Sequence, residues 1–252
     1  MRPDTAGDAR KTIGDRIIAI RDKWHTKQHP LFTTLAEGKL DIKTLAIHQA
    51  CHAKFVVLAL ESFGLLYARG PTEVKKMCIE NLAEEEGLIM MDKIGDDPHE
   101  HMDMLHNFCL AAGMTRAEID ATELTPAWWA RTLFYRYMAE FEAIGVALAA
   151  MFTQEGQQPQ LNAEITIPAL TTHYGFDRDS PAIEFFVAHE AADQEHSQRQ
   201  IELASKYLDT PELEDRAVIR AEEICRLRWA SASDIYRLHH LGDAEILPPG
   251  CG

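Results

Sequence analysis

The sequence predicts an all-α fold for this chain of 252 residues, and two kinds of observation support it. Apolar residues recur at helical spacing along almost the whole chain, whereas alternating runs of β-branched residues, which are typical of strands, are scarce. Proline also stands at the first position of four predicted helices, and three of these prolines follow a Thr or Ser that serves as N-cap. The prolines are Pro71, Pro126, Pro181 and Pro211, and the caps are Thr125, Ser180 and Thr210.

These signals predict a compact bundle of about seven to eight helices, joined by short loops and followed by a Pro/Gly-rich tail. The second and fifth helices contain runs that are apolar nearly all round, at 55–60 and 143–150, so we expect them at the centre. Without a repeat or a linker, the chain is expected to form one domain over 1–252, with its core at about 15–238. The predicted helices are 7–27, 42–68, 72–92, 99–112, 126–153, 159–173, 180–206 and 212–238.

Composition narrows the classes of function. The chain has 40 acidic and 25 basic residues, a formal charge of −15, and no basic cluster, which argues against nucleic acid as a partner. No apolar leader is present and the longest apolar stretch, 143–152, is too short to span a bilayer, so we expect a protein neither exported nor membrane-spanning. The odd number of cysteines, without a CxxC pair, favours a reducing cytoplasm: Cys51, Cys78, Cys109, Cys225 and Cys251.

The most informative motif is a run of metal-ligand residue types near the end of the chain. His189, Asp193 and His196 stand at positions i, i+4 and i+7 of a predicted helix and therefore share one stripe. Imidazole nitrogen with carboxylate oxygen suits iron, manganese or zinc. The two histidines are about 10 Å apart along the helix axis, which favours two ions over one. The alternative is a solvated acidic face that carries two histidines by chance.

A metal site in a helical bundle needs ligands from other helices, and the third and fourth helices offer them. Glu84, Glu85 and Glu86 are consecutive, so at most one is expected to point at a metal, because neighbours on a helix point about 100° apart. His99 and His101 follow after a short loop. The alternative is that the glutamates coat a surface turn and the histidines merely begin a helix.

Two further carboxylates are candidates. Glu155 ends the long apolar helix beside a glycine, where it is either a ligand or a solvent-facing residue, and Glu140 and Glu142 on the same helix compete with it. Glu61 interrupts the apolar second helix. A carboxylate buried there would need a cation, a metal or hydrogen bonds, whereas on the exposed stripe it would need none. His48, His52 and nearby aromatic residues could line a pocket, but aromatic residues at helical spacing usually form core.

Several fragments together carry a resemblance to a known family. The chain resembles the haem-oxygenase-like di-iron oxidase and oxygenase family, whose fold is shared by thiaminase-II and pyrroloquinoline-quinone synthase proteins. The resemblance covers about residues 15–210, and its most specific element is the His-x3-Asp-x2-His helix after a Glu-x-Gln-x-Pro segment. The matching fragments are His29–Phe32, Asn81–Gly87, His101–Phe108, Glu155–Pro159, Tyr174–Gly175 and Phe185–His196.

The resemblance implies a set of metal ligands. The family holds two irons with three histidines and three carboxylates, which correspond here to Glu85, His101, Glu155, His189, Asp193 and His196. Glu84 is the rival for the first position, and Glu61 lies about where some members have a further carboxylate. Thiaminase-II proteins use a cysteine in the central helix, and residues 126–158 contain none.

The function implied is that of a non-haem di-iron oxidoreductase with two Fe(II) and O2 as co-substrate. Its substrate is expected to be a small amine, amino-acid derivative or fatty acid, which undergoes N-oxygenation or oxidative C–C or C–N cleavage in a specialised biosynthetic pathway. The resemblance also implies a homodimer. Two alternatives remain at this stage: a metal-independent oxidase or hydrolase of the same fold, and a non-catalytic binding or regulatory protein whose six residues point apart.

Overall fold

The computed structural model describes residues 11–88, 101–190 and 194–244, with side chains in the last range described from residue 200 onward. Within these ranges the chain is helical and contains no strand, as the sequence predicts. The α-helices are α1 (Ile13–Lys23), α2 (Pro30–Ala36), α3 (Ile42–Arg69), α4 (Thr72–Glu85), α5 (His101–Ala111), α6 (Arg116–Ala121), α7 (Pro126–Phe141), α8 (Ile144–Glu155), α9 (Gln158–Leu161), α10 (Ile167–His173), α11 (Glu184–Glu190), α12 (Gln194–Ser205) and α13 (Pro211–Tyr236).

The described helical segments outnumber the predicted helices for local reasons. The short helices α2 and α6 were not predicted, and a π-helical turn (Asn162–Thr166) separates α9 from α10. Thr12 caps α1 through a capping box, so this helix starts later than predicted. Helix α4 ends at Glu85, before Gly87 takes the left-handed conformation with φ of 65°. Helices α11 and α12 lie on either side of residues 191–193, which are outside the described residues.

The predicted helix over 126–153 is wrong as a single element, because it breaks between α7 and α8. Glu142 adopts an extended conformation there, and the Arg69 guanidinium donates to the carbonyl oxygens of Ala139 (2.8 Å) and Glu142. The buried Glu142 carboxylate pairs with Arg216 and Arg220, with Nε to oxygen distances of 2.8 Å in each case. These contacts give the two carbonyl oxygens at the helix break a donor and the buried Glu142 carboxylate its counter-ions.

Helix α8 lies at the centre, which confirms the prediction for the 143–150 run. Every residue from Gly145 to Gln154 is buried, and α8 packs against α13, α12, α1 and α7. A side chain at Gly145 would collide with the neighbouring backbone, since an added Cβ would lie 2.4 Å from the Tyr207 carbonyl oxygen. The close approach of the two backbones therefore requires glycine.

Helix α3 is the second long apolar element and packs against α7, α5, α4 and α13. Among the described residues it is the one helix that is long and apolar enough to cross a membrane, by length and composition. This is weak evidence for a membrane span, since the core helix of a soluble protein passes the same test. Its inward face forms one wall of the cavity described next.

Candidate metal centre

The ends of four helices meet at one cavity. Glu85 is the last residue of α4, His101 the first of α5, Glu155 the last of α8, and His189 lies in the last turn of α11. All four side chains line a cavity with about 1040 Å³ of empty space, counted out to its open mouth. Its apolar wall includes Phe55, Phe63 and Phe185. The helix ends thus bring together ligand types that lie far apart in sequence.

Three of the predicted ligands converge closely. Glu85, His101 and His189 each offer one ligand atom, and these atoms all lie within 4.8 Å of one another. A carboxylate oxygen of Glu85 is 2.8 Å from Nδ1 of His101, and the ring centroids of His101 and His189 are 4.6 Å apart. One carboxylate and two imidazoles at such distances form a donor set that suits a transition metal.

The protonation states of His189 and Glu85 favour metal binding. Burial and the neighbouring His101 lower the pKa of His189 to about 4, so its imidazole is neutral near pH 7. The pKa of Glu85 is raised by burial, but the hydrogen bond to His101 and the histidine charges outweigh that effect and lower it overall. Nδ1 of His189 lies 2.7 Å from the Phe185 carbonyl oxygen and donates to it, which leaves Nε2 available to a metal.

Glu155 faces the same cavity but is held differently. The Tyr135 hydroxyl donates to its Oε1. Burial raises the pKa of Glu155 to about 7, although the Tyr135 bond and two nearby arginines favour the charged form. Glu85 is among the groups whose charge acts on Glu155, which places the two carboxylates in one electrostatic environment. A cation bound in this cavity would restore the ionised form of Glu155.

The other predicted ligand positions are either outside the described side chains or lie in different surroundings. Asp193 lies outside the described residues; the backbone of His196 belongs to α12, but its side chain is not described. Glu84 lines the cavity beside Glu85, and burial raises its pKa. Glu61 does not support the suggested additional role: its side chain is 55% exposed and lies 3.4 Å from Nη1 of Arg136. Its position on α3 points it to the surface, so the surface alternative holds.

The observed donor set fits iron. Two imidazoles, an ionised carboxylate and a buried protonatable carboxylate are the residue types that bind iron in helical bundles. A calcium or magnesium site would be built from oxygen ligands instead. The fixed Nδ1 of His189 also matches the way in which metal-ligating histidines are oriented by a second hydrogen bond.

Sequence reasoning missed two arginines in the cavity wall, Arg131 and Arg228, which are 2% and 9% exposed. Both hold Gln154: Nε of Arg131 is 3.0 Å from its side-chain oxygen, and Nη1 of Arg228 is 3.1 Å from its carbonyl oxygen. The sequence did contain a signal. Arg131 lies three residues after Trp128 and four before Tyr135, both fully buried, and therefore on the inward face of α7.

Comparisons with known proteins agree with this site. Residues 45–229 match the profile of a family described as iron-containing redox enzymes. A 4-aminobenzoate synthase from Nitrosomonas europaea is 25% identical over 239 residues, which cover 90% of this chain and 92% of that relative.

Solved structures agree on the fold. A TenA homologue from Pseudomonas syringae gives a TM-score of 0.73 at 14% identity, over 94% of this chain and 98% of that one. A protein of haem-oxygenase-like fold from Shewanella denitrificans gives 0.71 at 16% identity, over 90% and 91%. The predicted haem-oxygenase-like fold is confirmed. Since the family profile matches most of the sequence, the chain belongs to the iron-containing redox enzyme family and is an oxidoreductase.

Proposed function

We propose that this protein is a non-haem di-iron enzyme that uses O2 to oxidise a small molecule in a biosynthetic pathway. The observation that carries the proposal is the convergence of Glu85, His101 and His189 within 4.8 Å, in the cavity that Glu155 also lines. A non-catalytic protein was expected to have these residues pointing apart. Family membership supports the iron, and the two-ion stoichiometry rests on the six-ligand resemblance.

The ligands in this proposal are Glu85, His101, Glu155 and His189, together with the predicted Asp193 and His196. Ferrous iron bound there would supply the capacity to bind and reduce O2. The chain's own contribution is orientation and exclusion of water. The Phe185 carbonyl fixes the His189 ring, the Tyr135 hydroxyl positions Glu155, and the phenylalanine rings keep the wall apolar.

The relatives suggest which reaction to assay first. Proteins named 4-aminobenzoate synthase match most of this chain at 24–25% identity, in Nitrosomonas europaea and in Chlamydia species. We propose an amine-bearing product of the 4-aminobenzoate type, in line with the amine or amino-acid substrates expected from the sequence. Mass spectrometry of reactions with ferrous iron, O2 and a reductant tests for 4-aminobenzoate itself.

Iron binding is the direct test of the proposal. Ferrous iron is added anaerobically to the metal-free full chain, bound iron is counted, and O2 is then admitted while visible absorption is followed. We expect about two irons per chain and an O2-dependent absorption change. His189→Ala and Glu155→Ala should lower both. His106→Ala is the matched control, because His106 lies on α5 outside the cavity and contacts Arg116 instead.

Two results would contradict the proposal. One is an iron content near zero in the wild-type protein, or an iron content that neither ligand variant lowers. The other is full turnover after exhaustive chelation, which would favour the metal-independent enzyme of the same fold. Since removal of an outer partner of a metal ligand typically weakens binding about 10–100-fold, removal of a ligand itself should do at least as much.

A further inference from the structure

The two arginines in the cavity wall carry charge that the described part of the protein does not neutralise. Arg131 and Arg228 are nearly fully buried, yet neither forms an ion pair with a described carboxylate. Arg131 instead lies over the rings of Phe55 and Trp128, at 4.1 and 4.8 Å from their centroids. A buried guanidinium without a counter-ion is costly, because it has lost its hydration without a compensating charge.

The two guanidinium groups lie close together. Both hold Gln154, Arg131 through its side-chain oxygen and Arg228 through its carbonyl oxygen. Burial lowers the pKa of Arg228 to about 10 and that of Arg131 well below its usual range, where the charge of Arg228 adds to the effect. Two like charges buried side by side are tolerated when an anion binds between or beside them.

Further hydrogen-bond donors near the two arginines also indicate an anion site. Both arginines also line a small adjoining cleft, together with Trp128 and His48. Nε1 of Trp128, Nδ1 of His48 and Nε2 of Gln154 are buried and have no hydrogen-bond partner among the described residues. Indole and amide nitrogens can only donate, so Trp128 and Gln154 each leave a buried donor without an acceptor in the described part of the chain. An oxyanion provides several acceptor oxygens at once.

We infer that Arg131 and Arg228 form the binding site for a carboxylate group of the substrate, next to the metal centre. The inference rests on the proposed function, since it assumes that the substrate enters the cavity of the metal ligands. Arginine suits this role because its planar donors match the two oxygens of a carboxylate, and its face can stack on aromatic rings as Arg131 does. The nearby aromatic wall accepts the apolar part of the same molecule.

Glu155 is the alternative counter-ion. It lies within electrostatic reach of both arginines, but no ion pair joins it to either of them among the described contacts, and the Tyr135 hydroxyl donates to one of its two carboxylate oxygens. In the proposed function its charge is taken up by the metal. A site that served only Glu155 would not bind an added carboxylate, and this difference makes the two explanations separable.

The test compares benzoate with benzamide, which has the same ring and no charge. Isothermal titration calorimetry is run on the full chain, both metal-free and loaded anaerobically with ferrous iron. We expect benzoate to bind about tenfold or more tighter than benzamide in both forms, because charge-assisted hydrogen bonds contribute free energies of that order. If the metal-free protein still prefers benzoate to benzamide, the preference comes from the arginines and not from direct binding of the carboxylate to iron.

Arg131→Met and Arg228→Gln should each weaken benzoate binding about tenfold or more and leave benzamide binding unchanged. Arg136→Met on α7 and Arg226→Gln on α13 are matched controls, since both are exposed and outside the cavity. Thermal melts without ligand check folding. If a variant melts at a lower temperature than wild type, Arg131→Lys, which keeps the charge, replaces Arg131→Met. The difference between benzoate and benzamide binding to the wild type tests the inference independently of any variant.

Three outcomes would overturn the inference: equal binding of benzoate and benzamide, benzoate binding that neither arginine variant weakens, or tighter binding of bicarbonate or phosphate than of benzoate. The last would assign the site to an inorganic anion. Iron counts on the same variants keep the two proposals apart. Arg131→Met and Arg228→Gln should bind as much iron as wild type. A wild-type protein that binds no iron would contradict the proposed function, whereas the benzoate comparison in the metal-free form would still test the arginine site.

Discussion

The two ends of helix α8 carry buried carboxylates that the protein treats in opposite ways. Glu142, just before the helix, is 1% exposed and pairs with Arg216 and Arg220. Glu155, at the last residue of the helix, is largely buried and accepts a hydrogen bond from Tyr135 without a described ion pair. The first charge is neutralised within the fold, whereas the second has a counter-ion only in the proposed metal centre.

Helix α13 makes the contrast sharper, because it supplies arginines to both ends. Arg216 and Arg220 bind the Glu142 carboxylate directly, while Arg228, two turns further on, binds Gln154 and Gln158 and lines the cavity. A buried charge with a partner is explained by structure alone. Buried charges without partners, gathered around a cavity, are typical of functional sites. The Glu142 end therefore stabilises the fold, and the Glu155 end belongs to the proposed binding site.

The largest effect is expected at the Glu142 end. Glu142→Gln should lower the free energy of unfolding by about 3 kcal/mol, because it leaves two arginines without their shared counter-ion. The cost stays at the lower end of the range for buried pairs, since Arg216 is half exposed and can regain water. Urea denaturation measures it. Iron content should be unchanged; a loss of iron in a folded Glu142→Gln protein would show that the two ends do not have separate roles.

At the Glu155 end, removal of the carboxylate should raise the free energy of unfolding instead of lowering it. The pKa of Glu155 is about 7 in the folded metal-free protein, against an ordinary 4.5. The folded state therefore holds a proton that the unfolded chain has lost, so the stability from this group is present below about pH 4.5 and is lost as pH rises to about 7.

Glu155→Gln should accordingly stabilise the metal-free protein at pH 8 by about 2 kcal/mol, since each pKa unit corresponds to about 1.4 kcal/mol and the open cavity reduces the effect. At pH 4.5 the variant and the wild type should unfold alike. Glutamine can still accept the Tyr135 hydrogen bond. Urea denaturation at both pH values provides the measurement, and destabilisation at pH 8 would place Glu155 with Glu142 as a structural charge.

The same contrast explains what could be predicted from the sequence. Periodicity predicted the all-α class and the central position of the 143–150 run, because these follow from local spacing. The stripe of His189, Asp193 and His196 stays a prediction, since only the His189 side chain is among the described residues. Which of the adjacent glutamates faces His101 depends on how α4 is rotated about its own axis relative to α5. That orientation is set by tertiary packing and not by local sequence. The structure brings Glu85 to 2.8 Å from His101 and leaves Glu84 as a cavity-lining neighbour.

Errors arose where tertiary contacts outweigh the local pattern. The apolar residues on both sides of Glu142 read as one helix, and only the contacts with Arg69, Arg216 and Arg220 end it. Helix α6 was missed although its capping box, Thr115 with Glu118, is visible in the sequence. Arg131 and Arg228 were missed because an arginine in an amphipathic helix is usually a surface residue.

A smaller effect tests how rigid the Glu142 end is. Gly145→Ala should lower the free energy of unfolding by about 1 kcal/mol, at the lower end of the cost of overpacking, because the added Cβ would lie 2.4 Å from the Tyr207 carbonyl oxygen and force the helix away. Gly64→Ala on α3 is the matched control, since its Cβ would meet nothing within 4 Å. A thermal melt compares the two variants. Equal stability of Gly145→Ala and wild type would mean that this end of α8 yields easily.

The smallest effect is expected at Glu61, which has neither kind of role. Its carboxylate is more than half exposed and pairs only loosely with Arg136 among the described residues. Exposed ion pairs contribute about 0–1 kcal/mol, so Glu61→Gln should change the free energy of unfolding by less than about 0.5 kcal/mol and leave iron content at the wild-type level. Iron counting on purified Glu61→Gln is the decisive measurement. A clear loss of iron would mean that α3 turns this carboxylate inward when metal binds, and that a third buried charge belongs with Glu155.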